Sequence, residues 1–347
     1  MTIIPGVPLT PPVTPSSPVP PSSPVVTAAP VVPPGSAAQP ARRVRYRVVH
    51  ETRYDYQSLV TLSQQLLHLT PRSFLHQQTE SHQIWVNPAE HDGVNGIDYF
   101  GNRTRQIAIM APHKELLVHA ESVVTLTPRP SLAELMQAPQ RLQAVAQTAD
   151  LRAWESVREH VQKNRSGATL EALRYLYASP HVTFSNALEQ YARLSFTPGR
   201  PLLEAAHHLT QRIFNDFEFD AEATDISTPL EQVLIGRRGV CQDFAQLMIG
   251  CLRCLGLPAR YLSGYILTHP KEGQPRMIGA DASHAWVAVF CPLRGWVDFD
   301  PTNRCLVQGE HITLGWGRDF SDVTPMRGLV LGGGKQVLQV NVTVTPL

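Results

Sequence analysis

Residues 239–245 read Gly-Val-Cys-Gln-Asp-Phe-Ala and place one cysteine, Cys241, where a helix is predicted to begin. After Cys241, apolar residues recur every three or four positions, which is typical of an amphipathic helix with a buried face. Gly256 and Pro258 then end the helix. Because unpaired N–H groups at a helix start carry partial positive charge, we expect them to lower the pKa of the Cys241 thiol.

Two predicted strands downstream carry a histidine and a carboxylate that can act together with this thiol. Residues 284–290, His-Ala-Trp-Val-Ala-Val-Phe, form the first strand, and residues 296–299 return after a turn and end at Asp300. A tight hairpin brings His284 and Asp300 to the same end of the sheet. The sequence therefore predicts a cysteine nucleophile, a histidine base and a carboxylate that orients the base. Asp298 is the alternative to Asp300, which we prefer because it lies at the end of the strand.

The composition excludes several classes of protein. The chain has 347 residues, 43% hydrophobic and 17% charged, which is typical of a globular protein with a substantial core. A net charge of +1 gives no reason to expect a nucleic-acid partner, and no apolar run approaches the roughly 20 residues that span a membrane. Five cysteines favour reduced thiols over a disulfide framework, and the N-terminus has no signal-peptide pattern, so we expect a cytoplasmic protein.

The sequence also gives no reason to expect a metal or a cofactor. Cys251 and Cys254 have a Cys-x-x-Cys spacing, but they lie in the last turns of the predicted helix and no second pair exists. We therefore interpret them as packing residues. No run of acidic residues is suited to calcium.

Changes in composition divide the chain into four parts. Residues 1–43 are predicted to be a disordered tail, because residues 1–40 hold 13 of the 30 prolines and no charged residue. Residues 44–127 contain short β-like runs and predict a mostly β domain. Residues 128–198 predict a helical connecting region, and residues 199–347 the catalytic core. The polar loop at 269–280 is interpreted as a lid.

Four segments of the core resemble the bacterial transglutaminase-like proteins. They are 239–245, 255–265 (Leu-Gly-Leu-Pro-Ala-Arg-Tyr-Leu-Ser-Gly-Tyr), 283–287 (Ser-His-Ala-Trp-Val) and 295–303 (Gly-Trp-Val-Asp-Phe-Asp-Pro-Thr-Asn). Residues 50–56 and 98–102 are similar to the β domain that often precedes this core. The resemblance implies an α+β fold, in which a papain-like core packs a helix-borne cysteine on an antiparallel sheet behind a mostly β domain.

The resemblance also implies the chemistry. Cys241 matches the family nucleophile, His284 the base and Asp300 the acidic third member, while Gln242 is a candidate oxyanion donor by adjacency alone. The expected reaction is cleavage of a peptide, isopeptide or carboxamide bond through a thioester, with a peptide or protein as substrate. Transfer of a glutamine acyl group to an amine, and a non-catalytic peptide-binding scaffold, stay open as alternatives, and the oligomeric state is not predicted.

Overall fold

The computed structural model describes residues 2–4, 43–137, 151–268 and 283–347. Most of the predicted tail and the whole predicted lid lie outside these residues. The strands are β1 (Thr2–Ile4), β2 (Val44–Leu67), β3 (Gln77–Asn87), β4 (Asp92–Ile97), β5 (Arg103–Ile109), β6 (His113–Leu126), β7 (Glu218–Phe219), β8 (Arg238–Gly239), β9 (Ala259–Ile266), β10 (Ser283–Cys291), β11 (Gly295–Asp300), β12 (Cys305–Leu306), β13 (His311–Gly317), β14 (Met326–Gly332) and β15 (Gln336–Pro346). The helices are α1 (Leu132–Met136), α2 (Trp154–Lys163), α3 (Gly167–Leu173), α4 (Asn186–Arg193), α5 (Leu202–Asp216), α6 (Leu230–Gly236) and α7 (Cys241–Cys254).

The N-terminal region is built around β2, a strand of 24 residues. Its first half pairs with β6 and β15, and its second half pairs with β5 and β14. Buried and exposed residues alternate along most of β2, as expected of a strand with one face on a core. The predicted mostly β domain is therefore present.

The C-terminus differs from the expected boundary of the core. We expected the core to continue to residue 347, but β14 and β15 pair with β2 of the N-terminal region. The reason is hydrophobic, because Val342 and Val344 are buried in one cluster with Tyr46 and Val48. Thr2–Ile4 belong to the segment that the sequence predicts to be a disordered tail, but they extend this sheet by pairing with β14.

In the core, helix α7 packs on a five-stranded antiparallel sheet, with strand order β12-β11-β10-β9-β13. The apolar face of α7 is buried with the sheet, in a cluster that includes Leu247, Met248, Val287 and Val289. Burying a side chain of this size contributes roughly 1.5–3 kcal/mol. This arrangement is the α+β core that the sequence predicts.

Side chains of the N-terminal region form hydrogen bonds with the backbone of β13, an edge strand of the core sheet. At β13, the side-chain amide of Gln77 accepts from the N–H of Thr313 and donates to its carbonyl, both at 2.7 Å. Asn102 does the same for Trp316, at 3.0 and 2.9 Å. These amides take the place of a neighbouring strand at Thr313 and Trp316, so the backbone polar groups of these two edge residues are paired.

None of the helices within the described parts of the chain has the length and apolar character needed to cross a membrane.

Candidate active site

The start of α7 positions Cys241 as the first helical residue. Val240 is extended, and the Asp243 carboxylate accepts from the backbone N–H of Val240 at 2.8 Å and from the Thr224 hydroxyl at 2.6 Å. A Cβ atom on Gly239 would lie 2.6 Å from the same carboxylate, so only glycine fits beside this cap. Local sequence thus determines where the helix begins and places Cys241 in its first turn.

Cys241 lies against the strand that carries His284. Its Sγ is 4.0 Å from the carbonyl oxygen of Ser283, and the backbone N–H of Ala285 also hydrogen-bonds to it. Ser283 and Ala285 are the two neighbours of His284 in the chain. The structure therefore brings the predicted nucleophile to the backbone on both sides of the predicted base.

The expected lowering of the Cys241 pKa is wrong for this structure. The pKa of the thiol is raised to about 12, mainly by burial and to a smaller extent by the nearby carboxylates of Asp300 and Asp243. The backbone N–H groups of Ala285 and Gln242 act in the opposite direction, but they do not outweigh burial. Cys241 is only 9% exposed, and its raised pKa favours the protonated thiol at neutral pH, so reaction requires a base that removes the proton.

His284 lies near the start of β10, half-buried and opposite Gly264 of β9. The strand is tightly packed at this point, since a Cβ on Gly264 would lie 2.5 Å from the ring of Trp286 and 2.1 Å from the carbonyl oxygen of Ile312. Trp286 follows His284 by two residues and is fully buried. A closely packed part of the sheet thus supports the predicted base.

Asp300 ends β11 and is fully buried. One carboxylate oxygen accepts from the backbone N–H groups of Thr302 (2.9 Å) and Asn303 (3.1 Å). The other accepts from the Asn303 side chain at 2.7 Å and from Nε2 of His311 at 2.9 Å. Burial alone raises the pKa of Asp300, yet these hydrogen bonds and the nearby His284 hold it below its ordinary value. Asp300 is therefore an ionised carboxylate within electrostatic reach of His284.

Asp298, the alternative to Asp300, has a different partner. Its carboxylate accepts from the guanidinium of Arg129 at 2.5 Å, and both side chains are at least nine-tenths buried. Arg129 belongs to the segment that links the N-terminal region to the helices. This ion pair connects the linker to the core, whereas the charge of His284 acts on Asp300.

His311 and Asn303 are the site residues that sequence reasoning missed. Asn303 follows Asp300 by three residues and ends the segment 295–303, so its position was a usable signal. His311 is on β13, which the sequence did not predict as a strand, and no local pattern links it to Asp300. Gln242 is half-buried beside Cys241, and the group that acts on the thiol is its backbone N–H. An oxyanion role for its side chain stays a prediction.

One group of potential metal ligands occurs among the described residues. Atoms of Asp300, Cys305 and His311 lie within 4.8 Å of one another. The carboxylate already accepts four hydrogen bonds, including the one from His311, so a metal ion would have to break that bond. We therefore interpret the group as the support of Asp300.

Comparisons with known proteins agree with this architecture. Residues 46–125 match the bacterial transglutaminase-like N-terminal region, and residues 189–301 match the transglutaminase-like superfamily. The uncharacterized protein Rv2569c of Mycobacterium tuberculosis is 38% identical over 307 residues, which cover 87% of this chain and 93% of that protein. A protein-glutamine gamma-glutamyltransferase of Pseudomonas aeruginosa is 27% identical over 165 residues, which cover 47% of this chain and 21% of that protein.

A solved structure has the same fold over most of the chain. It is a protein of Cytophaga hutchinsonii that is proposed to be a cysteine protease, with a TM-score of 0.67 and 18% sequence identity. The match covers 88% of this chain and 92% of the other.

Proposed function

Because the chain belongs to the transglutaminase-like superfamily and carries its bacterial N-terminal region, we propose that it is a thiol enzyme that cleaves a peptide, isopeptide or carboxamide bond. The nucleophile is Cys241, the base is His284, and Asp300 orients the base. The observation that carries the proposal is the position of the Cys241 thiol, which lies against the two residues that flank His284 while Asp300 responds to the charge of His284.

In the first half of the reaction, the thiol proton moves to the imidazole of His284. The sulfur then forms a bond to the substrate carbonyl carbon, and the carbonyl oxygen takes up the negative charge. Because the pKa of Cys241 is raised, the thiol needs this base to become a nucleophile. Cys241 is the first residue of α7, which supports its backbone N–H as a donor to the oxyanion.

In the second step, the carbon–nitrogen bond breaks and the proton on His284 passes to the departing amine. A thioester remains on Cys241. Water then attacks the thioester carbonyl, His284 accepts the proton of that water and returns it to the leaving sulfur, and the product acid is released. Throughout, the ionised Asp300 stabilises the imidazolium form of His284.

A second candidate is amine transfer, in which an amine replaces water in the last step. It is favoured by the similarity to the protein-glutamine gamma-glutamyltransferase of Pseudomonas aeruginosa, which covers less than half of this chain. A non-catalytic peptide-binding scaffold is favoured by the buried, protonated thiol of Cys241.

Acylation of the full chain by 4-nitrophenyl acetate tests the proposal, with intact-mass and peptide-mapping readouts. We expect one acetyl group on Cys241, released with turnover by water, and no such adduct in Cys241→Ser. Cys254→Ser is the matched control, because Cys254 is a half-buried thiol at the other end of the same helix. Repeating the reaction with a primary amine distinguishes hydrolysis from amine transfer. An amide product formed in preference to acetate indicates transfer. A folded wild type that forms no adduct would support the scaffold.

The location and the partner are proposals of the same kind. All five cysteines are in the described part of the chain and are free thiols, which supports a reducing compartment such as the cytoplasm. The partner that this chemistry requires is a peptide or protein that presents an amide bond.

A further inference from the structure

The carboxylate of Asp300 is held by a residue from a strand outside the predicted hairpin. Nε2 of His311 donates to Oδ2 of Asp300 at 2.9 Å, and both side chains are more than nine-tenths buried. In the core sheet, β13 and β11 are separated by β9 and β10. The bond therefore joins the end of β11 to the edge strand on the far side of the sheet.

We propose that His311 is a positioning residue of the reaction, which fixes and keeps ionised the carboxylate that orients His284. This inference rests on the proposed function, since it assigns a task to Asp300 in that reaction. His311 acts through Asp300, and nothing in its position requires contact with the substrate.

Packing keeps the His311 imidazole in one orientation. Its ring lies edge-on against Trp286, with ring centroids 5.1 Å apart and an interplanar angle of 85°. The buried Nδ1 of His311 has no hydrogen-bond partner among the described residues, so Nε2 makes its one polar contact there. Trp286 lies on β10, two residues after His284. The strand that carries the proposed base therefore also packs against His311.

The charges around Asp300 explain why the hydrogen bond from His311 matters for the ionised carboxylate. The titratable groups that act on the carboxylate or respond to it are His284 on β10, Cys305 on β12, Cys241 on α7 and His311 itself. The two thiols are protonated at neutral pH, since burial raises the pKa of both. Removing His311 would leave a fully buried carboxylate with two backbone donors and Asn303, so burial would favour its protonated form.

The test compares acylation by 4-nitrophenyl acetate in wild type, His311→Ala and His311→Gln over a range of pH. For His311→Ala we expect kcat to fall about tenfold to a hundredfold with KM unchanged, because a hydrogen bond to a charged group is lost outside the substrate site. We also expect the acidic limb of the kcat profile to shift, because it depends on the ionisation of Asp300 and of the neighbouring His284. In His311→Gln the side-chain amide can still donate, so kcat should stay within about threefold of wild type.

His50→Ala is the matched control, since His50 is also a buried histidine with a hydrogen bond to another side chain, here the hydroxyl of Tyr265. It should lower stability and leave the acidic limb in place. If His311→Ala acylates with wild-type kcat and pH profile, the inference is wrong and the proposed function stands.

If the wild type is not acylated, the proposed function is wrong, and urea unfolding then tests the His311–Asp300 interaction without activity. In a cycle of His311→Ala, Asp300→Asn and the double variant, we expect a coupling of about tenfold in the unfolding equilibrium constant. Additive effects would overturn the inference in that case also.

Discussion

Asparagine at position 300 keeps the shape of the side chain and removes its charge, so Asp300→Asn isolates the electrostatic role of the carboxylate. Two opposite unit charges about 4–6 Å apart attract by roughly 3–4 kcal/mol at an effective dielectric constant of about 20. If Asp300 stabilises the imidazolium of His284 at that strength, kcat for acylation should fall by about 10²–10³.

Asp300→Asn should also lower the free energy of unfolding, because the carboxylate of Asp300 accepts hydrogen bonds in the folded protein. Two donors meet Oδ2 of Asp300, from the side chains of Asn303 and His311. An amide nitrogen cannot accept from them, so the neighbouring groups must turn to present acceptors. Replacing two hydrogen bonds to a charged group by two neutral ones lowers the free energy of unfolding by about 2–3 kcal/mol.

Asp298→Asn is the matched control, because it is the same chemical change two residues earlier on the same strand. Its partner is Arg129, which would be left buried beside a neutral amide, so we expect a loss of about 3 kcal/mol of stability and little change in kcat. Single-turnover acylation measures kcat, and urea unfolding of the same samples measures stability.

Asp300→Asn and Asp298→Asn should therefore lose similar amounts of stability, but only Asp300→Asn should lose most of its activity. The reasoning is refuted if Asp300→Asn acylates within about threefold of wild type at neutral pH. It is refuted equally if Asp298→Asn loses activity as strongly as Asp300→Asn, because the ion pair with Arg129 would then be part of the catalytic apparatus.

Three further predictions concern the packing and the protonation of the site. Gly264→Ala places a methyl group 2.1 Å from the carbonyl oxygen of Ile312, so we expect a loss of about 3 kcal/mol or more in urea unfolding; wild-type stability would contradict the close contact. Since burial raises the pKa of Cys241 to about 12, iodoacetamide at pH 7.5 should label it more slowly in the native protein than in urea, and equal rates would show a resting thiolate. Because the pKa of Asp300 is lowered from its ordinary 3.8, its ionised form stabilises the protein above about pH 4, and this contribution is lost as the pH falls through the lower native pKa. Unfolding measured from pH 2 to 6 should therefore be less pH-dependent in Asp300→Asn, and identical slopes would exclude the linkage.

The sequence was sufficient to predict what local pattern encodes. Three short-range features predicted elements that are present in the structure. They are Gly239 before the helix, the apolar period of α7 and the hairpin that ends at Asp300. The pKa of Cys241 was not predictable, because it depends on how much protein covers the thiol. His311 was missed for a related reason, since its partner is eleven residues away and on another strand.

The N-terminal region is connected to the proposed catalytic residues through β13. The amides of Gln77 and Asn102 hold the backbone of that strand at Thr313 and Trp316, and its first residue is His311. An edge strand with unpaired polar groups has few constraints on its position, whereas β13 is bonded on both sides. The bond from His311 to Asp300 therefore depends on a strand that the other region holds in place. On this basis the β domain contributes to the geometry of the proposed catalytic carboxylate, and a change at the Gln77 contact should alter activity through His311.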